Sequence, residues 1–267
     1  MNSLLIYDTF GLGHSTRCKA LSQAFYERGI CSMGIEYEER LEDKIRDVSS
    51  GFNFVVVDSY IASKEFYEQI DDITNLVVID DYNRLEYPEN SLVLNHSREK
   101  EYTLLRKEFW NRPKKKINRN IENIMICLGE TEKAKDIEDK IRNKFWNSQY
   151  TLVIPTNFIA KEMIGLMLWA DIAISGCGMI LNELACIGVP TIGITLFDNT
   201  MDNGIYFMKN GFIYGTLGCK GINYIEGFIK NPRFDYKNRK RMNKIGRKIV
   251  RGDGALKFVD KIIKNFT

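Results

Sequence analysis

The sequence predicts an α/β chain built as two parallel-sheet halves, and three observations carry that expectation. Short β-branched runs alternate with helical stretches along most of its 267 residues, the pattern of parallel strands joined by crossover helices. A glycine turn follows the first apolar run, and a second glycine turn follows an apolar run past residue 170. Between the two series lies a basic, proline-bearing stretch, Arg112–Asn120, which reads as a solvated linker.

Taken in order, Ser3–Tyr7 reads as a first strand and Arg17–Phe25 as an amphipathic helix. Ser32–Tyr37 is a short strand, and Phe54–Asp58, Leu76–Asp80 and Ser91–Asn95 are buried strands that each end in an acid or amide. Such groups either face a ligand at the strand's carboxyl end or cap the following turn. After the linker the alternation restarts. Asn123–Leu128, Thr151–Ile154, Asp171–Ser175 and Val189–Thr195 read as strands. Asp136–Phe145, Ile159–Trp169, Leu181–Ile187 and Asn203–Lys209 read as helices, and Asp235–Phe266 as a basic helical tail broken at Gly252-Asp253-Gly254. The expected architecture is two Rossmann-like domains facing a cleft, residues 1–112 and 121–250, with the 251–267 helix packing back on the first.

Composition narrows the function. A formal charge of +3 requires no polyanion, and the linker's basic run lacks interleaved aromatics, so nucleic acid is not an expected partner. No window approaches a membrane span, and Ser3–Tyr7 is too short for a signal peptide. Six scattered cysteines without Cys-x-x-Cys spacing suit a reduced, cytoplasmic protein with no zinc site.

The chemistry is expected at the two glycine turns. Gly11 and Gly13 let the backbone turn at the end of the first strand and place His14, one of two histidines, at a helix mouth. A third glycine for a dinucleotide would fall at Thr16, and no Gly-Lys-Ser/Thr follows, so neither NAD nor ATP is expected and no cofactor is expected. Ser175-Gly176-Cys177-Gly178 repeats the arrangement: amide groups at a helix start favour an anion, and Glu183 stands where an acid can bind a ribose. The alternative is that these glycines only allow close packing, with Glu183 on a solvated face.

With these residues assembled, the chain resembles the UDP-2,4-diacetamido-2,4,6-trideoxy-β-L-altropyranose hydrolases of pseudaminic acid (nonulosonic acid) biosynthesis, a glycosyltransferase-B-like family. Gly11-x-Gly-His-x-x-Arg17, Val56-Val57-Asp58-Ser59-Tyr60, Ile79-Asp80-Asp81, Leu94-Asn95 and Tyr102–Phe109 follow the family's order through the first half. Leu128-Gly129-Glu130-Thr131, Trp169 through Asn182-Glu183, Asp198-Asn199 and Gly252-Asp253-Gly254-Ala255 do so in the second. The chain departs from the pattern in carrying Ile6 where the family has Arg, Glu130 where it has Gly, Met179 where it has Ser or Thr, and Thr200 where it has Gln. Both domains are shortened.

The resemblance implies metal-independent hydrolysis of a UDP-sugar at its anomeric carbon. His14 would be the base on water, and Tyr60 and Asn199 would orient the reacting groups. Asp8, Gly11, Gly13, Arg17, Asp58, Asp81 and Asn95 would surround the substrate in the first domain. Gly129, Thr131, Ser175, Gly176, Cys177, Gly178, Met179, Asn182 and Glu183 would do so in the second. Two alternatives share the architecture: a UDP-sugar glycosyltransferase, and a nucleotide-sugar binder without turnover.

Overall fold

The computed structural model describes residues 1–9, 12–95, 98–155 and 159–267, with all their side chains except those of Leu12, Asn199, Thr216, Leu217, Cys219 and Lys220. Gly11 therefore lies outside the described residues, as does the side chain of Asn199. The chain divides into two compact units, Met1–Trp110 with Gly252–Thr267, and Asn111–Arg251.

In the first unit, strands β1 (Asn2–Tyr7), β2 (Cys31–Glu36), β3 (Phe54–Asp58), β4 (Asn75–Ile79) and β5 (Leu92–Leu94) form a parallel sheet in the order β2-β1-β3-β4-β5. Helices α1 (Leu12–Glu27), α2 (Ile45–Ser49) and α3 (Lys64–Asp71) connect them. The period of two along a strand sends alternate side chains to opposite faces. Leu4, Ile6, Val55 and Val57 pack with Phe66, Tyr67 and Ile70 of α3. Leu5, Phe54 and Val56 pack instead with Leu21 and Phe25 of α1. Both faces are covered, which is why β3 reads as an unbroken apolar run ending in Asp58.

The second unit repeats the plan. Its strands are β6 (Asn123–Cys127), β7 (Thr151–Val153), β8 (Ile172–Gly176), β9 (Thr191–Ile194) and β10 (Ile213–Leu217), parallel in the order β10-β9-β8-β6-β7. Its helices are α4 (Glu132–Lys144), α5 (Ala160–Trp169), α6 (Met179–Ile187), α7 (Met201–Lys209), α8 (Ile225–Ile229) and α9 (Tyr236–Ile249). Numbered within each unit, both sheets have the order 2-1-3-4-5. The first and third strands are therefore neighbours, β1 with β3 and β6 with β8. Crossovers leave these pairs in opposite directions, which opens a crevice at their carboxyl ends. Gly13 and the Gly176–Gly178 turn each stand at one of these switch points.

The last helix, α10 (Gly254–Phe266), returns to the first unit. Ala255, Phe258, Val259 and Ile262 complete the core cluster of Leu5 and Phe25, and Asp260 takes a bidentate pair from Arg28 at 2.6 and 2.9 Å. Gly254 sits so close to the chain that an added Cβ would lie 2.3 Å from the Thr103 carbonyl oxygen.

Several elements differ from expectation for local reasons. Helix α4 starts at Glu132 rather than Asp136, because the Thr131 hydroxyl caps it, accepting from the Ala134 N–H at 3.2 Å. The solvated linker needs correction. Lys115 is buried, and its ammonium donates to the carbonyls of Leu168 and Ala170 at 3.0 and 2.5 Å, covering the carboxyl end of α5. Arg239 of α9, also buried, donates to the Asn118 and Arg119 carbonyls, and Arg112 to that of Arg247. The run's charge thus anchors backbone to the second unit. Among the described residues, no helix is long and apolar enough to cross a membrane.

Candidate active site

At the switch point of the first unit, the end of β1, the first turn of α1 and the end of β3 converge on one buried cluster. Asp58, the last residue of β3, is fully buried. Its Oδ1 accepts from His14 Nδ1 at 2.8 Å and from Arg17 Nη2 at 2.7 Å, while its Oδ2 accepts from Arg17 Nε at 2.8 Å. His14 and Arg17, three residues apart, share one face of α1, so a single carboxylate can reach both. Arg17 Nη1 also donates to Asp81 Oδ2 at 2.9 Å, just beyond β4.

Burial alone would raise the Asp58 pKa, but the Arg17 charge and the hydrogen bonds of His14 and Arg17 outweigh it and hold the carboxyl at about 2. Asp58 is thus an ionised acceptor, and the nitrogen facing it at 2.8 Å must carry a proton. In the neutral imidazole, that leaves the lone pair on Nε2. Arg17 Nη2 lies 3.1 Å from the same Nδ1 because both donors converge on one oxygen. Burial would lower the guanidinium pKa, but Asp58 and Asp81 raise it well above its ordinary value.

Tyr60 closes the other side. Its ring stands edge-on to His14, with centroids 4.5 Å apart at 77°, and its hydroxyl donates to Asp81 Oδ2 at 3.4 Å. Burial pushes its phenol pKa up, so the hydroxyl stays protonated. The Tyr60 backbone N–H donates to Asp8 Oδ2 at 2.6 Å, whereas the buried Asp8 Oδ1 has no partner among the described residues. Asn95 donates to the Asp81 carbonyl at 3.3 Å and so ties β5 to this edge. Gly13 lies in the first turn of α1, just ahead of His14.

Lys100 was not legible as part of this region. It belongs to the charged run Arg98-Glu99-Lys100-Glu101, which carries no burial signal, yet it is 5% exposed. Burial lowers its amine to about 7, with the Asp81 charge acting in the opposite direction. Between pH 7 and 10.5 the unfolded chain therefore binds more protons at this site, and stability rises with pH. Lys100→Met removes that slope. Urea denaturation across this range is expected to favour the variant most near pH 7, with the difference shrinking towards pH 10.

In the second unit the residues around the β6–β8 switch point are arranged mainly by backbone. Gly129 adopts φ +118°, a left-handed value that suits glycine, and turns the chain after β6. Gly176 is required by close approach, since an added Cβ would lie 2.7 Å from the Leu128 carbonyl oxygen. The Ser175 hydroxyl donates to the Gly176 carbonyl at 2.8 Å, and Cys177 is buried, so both side chains point inward. Asn203, missed in the sequence, donates to the Cys177 and Gly178 carbonyls at 2.7 and 3.3 Å and fixes the turn ahead of α6. Met179 opens that helix, with Asn182 Nδ2 3.8 Å from its sulfur.

Glu183 is buried rather than on a solvated face. It is close enough to the β6 end to act on Cys127, whose thiol is pushed up to about 12 by burial first, then by the charges of Glu138, Glu183 and Glu130. Glu130 itself is exposed.

No protein-family model matches the chain, and no curated protein sequence matches it significantly. Solved structures do match it over its length. The MurG protein of Acinetobacter baumannii is 11% identical, with a TM-score of 0.64, over 98% of this chain and 99% of that one. A spinosyn rhamnosyltransferase complexed with thymidine diphosphate is 8% identical, with a TM-score of 0.58, over 97% and 100%. A Listeria monocytogenes protein assigned as a UDP-N-acetylglucosamine 2-epimerase is 9% identical, with a TM-score of 0.60, over 99% and 96%. The fold is of glycosyltransferase-B type. At these identities the likeness establishes architecture alone. The glycosyltransferase-B fold supplies both switch points, and the chemistry has to be argued from the residues upon them.

Proposed function

We propose that this chain hydrolyses a UDP-linked 2,4-diacetamido-2,4,6-trideoxy hexose at the anomeric carbon, releasing UDP and the free sugar. The observation that carries this reading is the 2.8 Å contact between His14 Nδ1 and the ionised Asp58 Oδ1: a proton on Nδ1 leaves the lone pair on Nε2 to take a proton from water. In the step, the water oxygen bonds to the anomeric carbon while the bond to the diphosphate oxygen breaks. The water proton passes to His14 Nε2, and the electron pair leaves with UDP. A single displacement of this kind inverts the anomeric centre. Tyr60 orients the reacting groups, and Asn199 has that role by resemblance.

Nucleotide recognition falls to the second unit. Amides of the Gly176–Gly178 turn and the first turn of α6 suit a diphosphate, with Gly129 and Thr131 beside them and Glu183 for the ribose. A glycosyltransferase reading shares every one of these features. Against a lipid acceptor, the apolar residues nearest the linker are engaged internally: Phe109 is buried, and the Trp110 indole donates to the Leu105 carbonyl at 2.9 Å.

The test is incubation with UDP-2,4-diacetamido-2,4,6-trideoxy-β-L-altropyranose, without metal or acceptor, followed by NMR. UDP release with a single free anomer is expected. UDP binding without release would remove the hydrolase reading.

A further inference from the structure

Net charge conceals how unevenly this chain distributes its cations. Residues 112–120 and 236–251 hold thirteen of the chain's 38 lysines and arginines and no aspartate or glutamate. The fold joins these two segments into one surface of the second unit. Arg239 and Arg247 of α9 donate to the carbonyls of Asn118, Arg119 and Pro113, and Arg112 donates back to that of Arg247. Lys115, likewise bonded to backbone, makes a fourth cation satisfied within the fold. The remaining nine are exposed.

Along α9, Lys237, Lys240, Arg241, Lys244 and Lys248 fall at helical spacing on one face, opposite the buried Met242 and Gly246. None of the five forms an ion pair among the described residues. Asp235, the nearest acid in sequence, caps the helix, accepting from the Asn238 N–H at 2.8 Å. Like charges four residues apart repel, as Lys237 does Arg241 and Lys244 does both Lys240 and Lys248. Lys237 in the first turn also opposes the helix dipole. Inside the fold this charge gains nothing, whereas an external polyanion would relieve every one of these repulsions.

We propose that α9 and the 112–120 segment form a docking face for an anionic membrane surface, on which the chain rests without spanning it. Three features favour lipid over nucleic acid. Tyr236, the aromatic of α9, has the Lys240 ammonium over its ring, 5.3 Å from the centroid, so that face is closed to a stacked base. The end of α7 adjoins the stripe, since a Cβ added at Gly211 would lie 3.9 Å from Arg241 Nη2. Met208, whose carbonyl accepts from the Gly211 N–H at 2.9 Å, is exposed there with Lys209. An apolar side chain within a basic face suits the boundary between head groups and acyl chains. Lysines dominate the face, and compact charges on flexible stems follow mobile head groups without a fixed geometry. Docking of this kind is independent of the reaction at His14.

The experiment centrifuges the full-length protein with phosphatidylcholine vesicles and with vesicles in which about one lipid in three is phosphatidylglycerol. At about 0.1 M salt, binding to the anionic vesicles is expected to be at least tenfold tighter, and to vanish at about 1 M. Lys240→Glu combined with Lys244→Glu should weaken it by about tenfold or more, with the circular dichroism unchanged. Should that protein lose its helical signal, Lys240→Gln with Lys244→Gln takes its place, and weaker binding is again expected. Lys135→Glu with Lys140→Glu alters net charge equally at exposed positions of α4 and should leave binding within about twofold. Equal binding to both kinds of vesicle, or binding to neither, overturns the docking face, as does an equal loss in the two charge-reversed proteins. A fluorescent single-stranded RNA held more tightly than the anionic vesicles at the same salt overturns it in favour of nucleic acid.

Discussion

Replacing His14 by glutamine is expected to lower turnover by about 10²–10⁴-fold while leaving UDP affinity nearly unchanged. Glutamine has the length to reach Asp58 with its amide, so the ion pair of Arg17 with Asp58 and Asp81 survives and the cluster keeps its shape. What disappears is the basic nitrogen. Single-turnover rates together with calorimetric UDP titration separate the two quantities. A parallel loss of UDP affinity would mean that His14 holds nucleotide, and an unaltered rate would place the base elsewhere.

Asp58→Asn should be the more damaging change, acting on stability and chemistry together. Arg17 would keep Asp81 but lose its closer, two-point partner in a buried setting, a disruption worth about 3–5 kcal/mol. An amide facing Nδ1 can present its N–H₂ group. Imidazole then accepts there and carries its proton on Nε2, the wrong tautomer for a base, a fault worth about 10⁴-fold in other Asp–His pairs. Urea denaturation measures the first effect and the rate of UDP release the second. The acid limb offers an independent check. Because Asp58 is held at about 2 against an ordinary 3.8, its stabilisation is present above pH 3.8 and fades as pH falls towards 2. The variant should lack that component. A wild-type rate in Asp58→Asn would detach the pair from catalysis.

The parts of this molecule visible in its sequence are those set by local pattern. β-Branched runs with both faces covered announced β3, β4 and β8, and the two glycine turns announced the switch points. His14, Arg17 and Asp58 were placed together by resemblance, and the structure unites them in one hydrogen-bonded cluster. Where burial depends on a distant partner, the reading failed. Lys115 stands in the run read as a solvated linker, yet it covers the end of α5, and Lys100, in another charged run with no burial signal, is enclosed near Asp81. Strand β10, Ile-Tyr-Gly-Thr-Leu, has a glycine at its centre and offers no period of two. Asp80 and Asp81 illustrate the limit most sharply. They are adjacent acids at one strand end, yet Asp80 fastens the turn and Asp81 faces Arg17. No single-sequence signal separates these roles, because each is decided by whichever donor the fold brings near.

The return of α10 gives the molecule an order of assembly. During synthesis the ribosome releases all of 111–251, enough for the second unit, before 252–267 emerges. Until then the side of the first sheet that will hold Phe258, Val259 and Ile262 stands open beside Leu5 and Phe25. The half that carries the histidine is thus begun first and finished last. Its two segments would have to be joined directly, skipping the middle of the chain, for it to be made as a separate piece.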